Sequence, residues 1–164
     1  MKILKVRDVK TPKRGTSVAA GIDFFVPNDF EETVVEPRGD ILIPSGIVAN
    51  VPDGFMLMAA DKSGIASSAA AKMKAGITPK DGSPITSIIV GAKIVDEDYT
   101  GEIHMHVINV GAYPVTIYPG MKLQQFILVP VLYDSVELVQ TKDELLNGKN
   151  TERGRGAFGS TGVH

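Results

Sequence analysis

Apolar and polar residues alternate in short runs along most of this chain, and turn-forming residues separate the runs. The apolar runs recur at roughly 8- to 12-residue intervals and are rich in β-branched residues. They fall at 2–9, 33–35, 41–43, 46–51, 55–60, 88–95, 102–109, 115–118 and 122–132. This spacing predicts an all-β sandwich or barrel and not a βαβ fold. The run at 55–60, FMLMAA, is continuously apolar, which predicts a buried strand.

Two segments break this pattern and predict helix. Ser67–Lys74, SSAAAKMK, is rich in the strong helix formers Ala and Lys. Thr141 and Glu144 have the T-x-x-E spacing of a capping box, so a short helix is expected near 142–147, with Gly148 as its stop.

Composition narrows the class of protein. With 164 residues, the chain has the length of one domain, and no apolar run approaches the roughly 20 residues that span a bilayer. The absence of cysteine excludes disulfides and Cys-ligated metals. Because the N-terminus also lacks a long apolar signal region, we expect a cytoplasmic protein. A net charge of −2 provides no global attraction for nucleic acid.

The stretch from Val90 to Glu102, VGAKIVDEDYTGE, carries the most suggestive chemistry. It predicts two strands joined by a tight turn, with Asp96, Glu97 and Asp98 beside an apolar wall and Tyr99 next to them. A carboxylate held at a strand end can act as a general base. An ordinary hairpin tip, whose acids serve only turn geometry, explains the same residues.

Other segments suggest an anion site. Lys62-Ser63-Gly64 offers a charge, a hydroxyl and an open backbone N–H.

Gly21-Ile22-Asp23 indicates tight packing beside one acid, and a strand with a Gly bulge is the alternative. Gln124 and Gln125 lie in an apolar run and need hydrogen-bond partners if buried. His104 and His106 share one strand face, and we expect structural roles for them.

The tail from Arg153 to Gly162, RGRGAFGSTG, contains no core-forming pattern and is predicted to be flexible alone. Its glycines, hydroxyls, arginines and single phenylalanine suit a nucleotide, although an inert tail is the alternative.

Five blocks, taken together, resemble the motifs of the trimeric dUTP pyrophosphatases (dUTPases). In order along some 140 residues they are AGID at 20–23, KSGIA at 62–66, VGAKIVDEDYTG at 90–101, PGMKLQQ at 119–125 and RGRGAFGSTG at 153–162. Each block is modest alone, and their order makes the resemblance specific.

The resemblance implies a jelly-roll domain over 1–148, a flexible Gly-rich C-terminal arm over 149–164, and a homotrimer with active sites shared between subunits. It also implies Mg²⁺-dependent hydrolysis of dUTP to dUMP and pyrophosphate. That reaction would limit uracil incorporation into DNA and supply dUMP for thymidylate synthesis.

The same resemblance assigns roles to residues. Asp96 would deprotonate the attacking water, Gln125 would help to position it, and Ser63 would donate to the leaving pyrophosphate. Asp23 would touch the metal through water. Substrate contacts would come from Lys62, Ser63, Gly64, Val90, Gly91, Ala92, Lys93, Tyr99, Gln125, Arg153, Phe158, Gly159, Ser160 and Thr161. Among these, Val90 to Lys93 would read the uracil edge, Tyr99 would exclude a 2′-hydroxyl and Phe158 would stack on uracil.

The sequence departs from the family pattern at several positions. Lys62 replaces Arg, Lys93 and Ala157 replace Gly, and Gln124 replaces Ala. About 15 extra residues, near 68–83, separate the second and third blocks. The sequence also allows two alternative functions, a dCTP deaminase-type activity and a nucleotide-binding regulatory protein whose extra segment contacts a partner.

Overall fold

The computed structural model describes residues 1–67 and 87–149. Contacts divide the chain into two units, Met1–Leu132 and Tyr133–His164. The first unit is built mainly of short strands, which confirms the predicted all-β class. They are β1 (Lys2–Lys5), β2 (Lys13–Arg14), β3 (Ile22–Asp23), β4 (Thr33–Val35), β5 (Asp40–Pro44), β6 (Ile47–Asn50), β7 (Phe55–Asp61), β8 (Ile88–Val90), β9 (Ile94–Val95), β10 (His104–Asn109), β11 (Val115–Ile117) and β12 (Gln124–Pro130).

The largest sheet brings four of the five sequence blocks to one place. Its strand order is β2-β3-β12-β7-β9, and the paired strands are antiparallel. Gln125 lies opposite Asp23 on β3 and opposite Ala60 on β7. The strand order therefore joins residues that are about 100 positions apart in sequence.

Three smaller sheets complete the described strands. They have the orders β5-β10-β8, β1-β6 and β11-β4, and all of their pairs are antiparallel. Phe24 and Phe126 pack with ring centroids 4.4 Å apart, and both are buried in the core cluster. Ile43, Leu57, Met105 and other inward-facing side chains of several strands join them. This core fixes the strands whose ends carry the polar blocks.

The prediction of a buried strand at 55–60 is confirmed in part. Along β7, Leu57 and Ala59 are buried, whereas Met56, Met58 and Ala60 are only partly buried. Side chains of a strand point alternately to the two faces of its sheet. One face of β7 packs on the core, and the other is only partly covered in the single chain.

The helix predicted at Ser67–Lys74 lies outside the described residues except for Ser67, which is not helical. A four-residue helix, α1, covers Ser63–Ala66, and Ser67 is already its extended C-cap. The second prediction is confirmed by α2, Lys142–Leu146. The Thr141 side chain accepts a hydrogen bond from the Glu144 N–H at 3.2 Å. Neither of these helices is long and apolar enough to cross a membrane.

Candidate functional site

A buried carboxylate and two lysines form the first part of the site. Asp23, on β3, is only 7% exposed. One of its oxygens accepts a hydrogen bond from the Lys62 ammonium, and Lys122 Nζ lies 3.4 Å from the other. Lys62 directly precedes α1, and Lys122 lies just before β12. Two cations surround one anion, so the cluster keeps one net positive charge.

These contacts decide the protonation of Asp23. Burial by itself would raise the pKa of this carboxyl, because the charged form loses its water. The hydrogen bond from Lys62 and the charges of both lysines outweigh that effect, and the pKa lies below its ordinary value of 3.8. Asp23 is therefore an anion across the whole neutral range.

Gln125 lies beside this cluster and depends on the glycine of the AGID block. Its Nε2 donates to the Asp61 carbonyl at 2.9 Å. A β-carbon on Gly21 would lie 2.6 Å from Gln125 Cδ, closer than nonbonded carbon atoms approach. The predicted close packing at Gly21 is thus confirmed, and its reason is the Gln125 side chain.

Asp61, at the end of β7, connects this cluster with the hairpin of the third block. Its carbonyl accepts from Gln125, and its carboxylate Oδ1 accepts from the Val90 N–H at 2.6 Å. The hairpin is also fastened at its other end, since Glu97 Oε2 accepts from the Gly54 N–H at 2.6 Å. Glu97, one acid of the Asp96–Asp98 run, therefore holds the hairpin in place.

A cavity of about 200 Å³ opens along the hairpin. Ala92, Lys93, Asp96 and Tyr99 line it, together with His106 and other residues of the facing sheet. Tyr99 is 44% exposed, and its hydroxyl donates to the Glu102 carbonyl at 2.9 Å. This hydrogen bond holds the phenol ring at the cavity wall.

Asp96 is exposed at this cavity, and its side chain has no hydrogen bond or ion pair with any residue that the structure describes. The Tyr99 N–H donates to its backbone carbonyl at 3.2 Å, which closes the turn. A carboxylate that is fixed at its backbone and open at its oxygens can bind and deprotonate a water molecule.

Ser63 and Gly64 are exposed at the start of α1, directly after Lys62. A β-carbon on Gly64 would meet no atom within 4 Å. The space around this backbone is open, so an anion can approach it without steric hindrance.

The described donor set fits a magnesium ion that arrives with a triphosphate, not one held in a protein cage. No group of three or more metal-binding side chains occurs in residues 1–67 and 87–149. Asp23 already accepts contacts from two ammonium groups. Mg²⁺ commonly keeps several waters and takes its remaining oxygens from phosphates and one or two carboxylates. Asp23 would therefore meet it through water.

The structure brings the predicted residues into two groups, the lysine–carboxylate cluster with Gln125 and the cavity with Asp96 and Tyr99. The predicted residues Arg153, Phe158, Gly159, Ser160 and Thr161, like the extra segment at 68–83, lie outside the described residues. Sequence reasoning missed Asp61 and the pairing of Lys122 with Asp23. Asp61 carried a signal, because it is an acid that ends an apolar strand and directly precedes Lys62.

Sequence comparison identifies the protein family. The dUTPase family model matches residues 7–162. The chain belongs to the dUTPase family. Relatives named deoxyuridine 5'-triphosphate nucleotidohydrolase include a Hydrogenobaculum protein, 36% identical with 99% of both chains covered. A Desulfotalea psychrophila relative is 32% identical, with 98% of this chain and 94% of its own length covered.

Solved dUTPase structures support the fold. A Staphylococcus bacteriophage 80alpha dUTPase with dUPNHPP matches with a TM-score of 0.75 at 18% identity, covering 99% of this chain and 98% of that one. The dUTPase of S. aureus phage phi11, whose structure describes a structural Mg(II) ion, matches with a TM-score of 0.66 at 18% identity. The match covers 87% of this chain and 97% of the phi11 chain. The predicted jelly-roll dUTPase fold is thereby confirmed.

Proposed function

We propose that this dUTPase-family chain hydrolyses dUTP to dUMP and pyrophosphate, with Asp96 as the general base. The observation that carries the proposal is the position of Asp96 in a cavity that it shares with Tyr99 and the hairpin backbone. Asp96 accepts a proton from a water whose oxygen attacks the α-phosphorus. As that bond forms, the bond from this phosphorus to the bridging oxygen breaks, and pyrophosphate leaves.

The lysine–carboxylate cluster supplies the charge that a triphosphate needs. Its net positive charge, the Ser63 hydroxyl and the open Gly64 N–H attract and orient the phosphate chain. Ser63 donates to the leaving pyrophosphate. Lys62 acts as a point charge here, because an ammonium lacks the two-pronged geometry of the arginine that it replaces. Gln125 helps to position the water or the phosphates.

The cavity holds the nucleoside. Tyr99 packs against the deoxyribose and leaves no room for a 2′-hydroxyl, and the backbone from Val90 to Lys93 recognises the uracil edge. The side chain of Lys93 is exposed beside this cavity. Because this side chain is exposed, we expect it to contact solvent or phosphate. The Lys93 carbonyl accepts a hydrogen bond from the Ala59 N–H at 2.7 Å.

Magnesium accompanies the nucleotide in this proposal. When bound, it neutralises phosphate charge and so makes the phosphorus easier to attack. Asp23 would contact the ion through one of its bound waters. The phi11 phage dUTPase, a relative in fold, is described with a Mg(II) ion.

We propose a homotrimer with active sites shared between subunits. Within the first unit, Leu4, Val34 and Val110 are at least half exposed. Within the second unit, Val136 and Leu138 are 100% and 86% exposed. Contact with further copies of the chain would cover these apolar side chains. Residues 149–164 then form the arm that closes over the nucleotide, with Arg153, Phe158, Gly159, Ser160 and Thr161 contacting it.

One experiment tests the reaction. The chain is incubated with dUTP, dCTP, dTTP and UTP, with and without Mg²⁺, and pyrophosphate and ammonia are measured. We expect pyrophosphate from dUTP with Mg²⁺ and little from the other three. Turnover that does not depend on Mg²⁺ contradicts the metal assignment, and equal use of dCTP contradicts uracil recognition.

Light scattering after size exclusion tests the assembly. We expect three times the chain mass of 17.5 kDa. A fully active species of a single chain mass contradicts the shared sites.

A further inference from the structure

We propose that His106 is a positioning residue that sets the base-reading hairpin and thereby tightens the selection of uracil. This inference rests on the proposed function, because it assigns His106 a role in the same cavity. The contact that carries it is the hydrogen bond from the Ala92 N–H to His106 Nδ1, at 2.8 Å.

Three backbone donors of the hairpin are already engaged before any ligand binds. The N–H groups of Val90, Gly91 and Ala92 donate to Asp61 Oδ1 at 2.6 Å, to the His106 carbonyl at 3.0 Å and to His106 Nδ1 at 2.8 Å. His106 therefore supplies two of the three acceptors. Since an engaged N–H is not offered to a base, His106 decides which backbone groups of the tip remain for recognition.

The neighbours of the ring fix its tautomer. Nδ1 must lack a hydrogen in order to accept from Ala92, so the imidazole hydrogen is on Nε2. Nε2 lies 2.9 Å from Asp40 Oδ2, on the neighbouring strand β5. The Asp40 carboxylate accepts that hydrogen and keeps Nδ1 free for the hairpin.

Steric packing fixes the position of the ring as well. A β-carbon on residue 91 would lie 2.6 Å from His106 Cγ, so the hairpin tip meets the ring only because residue 91 is glycine. The backbone of His106 is held too, since its carbonyl accepts a hydrogen bond from the Gln124 side chain. The imidazole also lines the cavity that contains Asp96.

The consequence for the reaction concerns substrate binding more than chemistry. Loss of the Nδ1 acceptor leaves Ala92 N–H without its partner and loosens the tip, while Asp96 keeps its own backbone contacts. A single hydrogen bond of ordinary strength corresponds to a roughly 2- to 12-fold change in binding. We therefore expect KM for dUTP to rise by about that factor, with little change in kcat, and selectivity against dCTP to fall.

A pair of full-length variants of matched size tests this role. H106N places a carbonyl oxygen near the position of Nδ1, whereas H106L has nearly the same shape and no acceptor. We expect H106L to show the higher KM and the weaker discrimination between dUTP and dCTP, and H106N to recover most of both. Equal KM values in wild type and H106L, or equal impairment in H106L and H106N, overturn the proposal.

A second measurement does not depend on the stability of these variants. Nitrogen-15 NMR of the wild-type imidazole reports which ring nitrogen carries the hydrogen, and we expect it on Nε2. Asp40→Asn replaces a carboxylate, which can only accept a hydrogen bond, with an amide, which can also donate one. We expect this variant to allow the tautomer with the hydrogen on Nδ1 and to raise KM for dUTP. A wild-type ring with its hydrogen on Nδ1 overturns the proposal.

The result separates this inference from the proposed function. A wild-type chain that releases no pyrophosphate from dUTP overturns the proposed reaction, and the positioning role with it. An active wild type whose KM is unchanged in H106L overturns the role of His106 alone.

Discussion

Gly21 lies directly beneath the side chain of Gln125, and the two residues are packed so closely that residue 21 has no room for a β-carbon. They belong to different sequence blocks, about 100 positions apart, and meet because β3 and β12 are neighbours in one sheet. The glycine of the first block is therefore required by the glutamine of the fourth.

Gly21→Ala tests this packing directly. The added methyl displaces Gln125 and strains the β3–β12 pairing, so we expect a loss of about 1–3 kcal/mol in the free energy of unfolding, with reduced activity. Urea titration measures the first effect and dUTP turnover the second.

Gly15→Ala is the matched control for Gly21→Ala, because a β-carbon there meets no atom within 4 Å. We expect it to leave stability and turnover close to wild type. Equal behaviour of the two variants would contradict the packing explanation.

Asp96→Asn tests the general base. The amide keeps the size of the side chain but cannot take a proton, so we expect kcat to fall by roughly 100-fold or more, with KM little changed. Asp98→Asn, which alters a neighbouring exposed acid on the same turn, is the control and should remain active. Full turnover by Asp96→Asn would remove Asp96 from the mechanism.

Tyr99→Ala tests sugar selection. Removal of the ring opens the cavity wall and makes room for a 2′-hydroxyl. We expect the ratio of dUTP to UTP hydrolysis to fall about tenfold, which is the scale on which a pocket discriminates substrates by the size of one group. Tyr99→Phe keeps the ring and loses only the hydrogen bond to the Glu102 carbonyl. It should retain most of the discrimination. Initial rates with both nucleotides give the ratio, and an unchanged ratio in Tyr99→Ala would assign the selection elsewhere.

Asp23→Asn tests the lysine–carboxylate cluster through pH. The folded-state pKa of Asp23 is lowered, so its ion pairs stabilise the fold above the ordinary pKa of 3.8. That stabilisation is lost as the pH falls through the folded-state pKa. At pH 7 the variant leaves two lysines without their anion, and we expect it to be less stable by about 1–3 kcal/mol. The difference between variant and wild type in the free energy of unfolding should shrink at acidic pH below the folded-state pKa. Urea unfolding at pH 7 and at that acidic pH measures this difference. A difference that does not change with pH would contradict the electrostatic origin.

Truncation after Gly148 tests the C-terminal arm. The core cluster of the described residues ends at Phe126, with Leu128 packed against it. We therefore expect the truncated chain to keep its unfolding midpoint and its circular dichroism, while dUTP hydrolysis collapses. Undiminished hydrolysis would show that residues 149–164 are inert.

Much of the fold was accessible from sequence because its signals are local. Alternating apolar residues bounded by Pro and Gly predicted the strands, and the Thr141–Glu144 spacing predicted a helix whose start the structure confirms. At β7, apolar residues occupy both faces, so the sequence did not distinguish the buried face from the partly buried one. The helix predicted at Ser67–Lys74 lies outside the described residues except for Ser67, which directly follows α1.

The sequence by itself determined the family, the strand-rich class and the candidate base, because motif order and side-chain chemistry are properties of the chain alone. Only the tertiary structure decided that Asp23 is shared by Lys62 and Lys122, that Gly21 makes room for Gln125, and that His106 holds Ala92. Each of these relations depends on which strands become neighbours and in which register. Strand neighbours and register are set by burial of the whole core, so no local stretch of sequence specifies them.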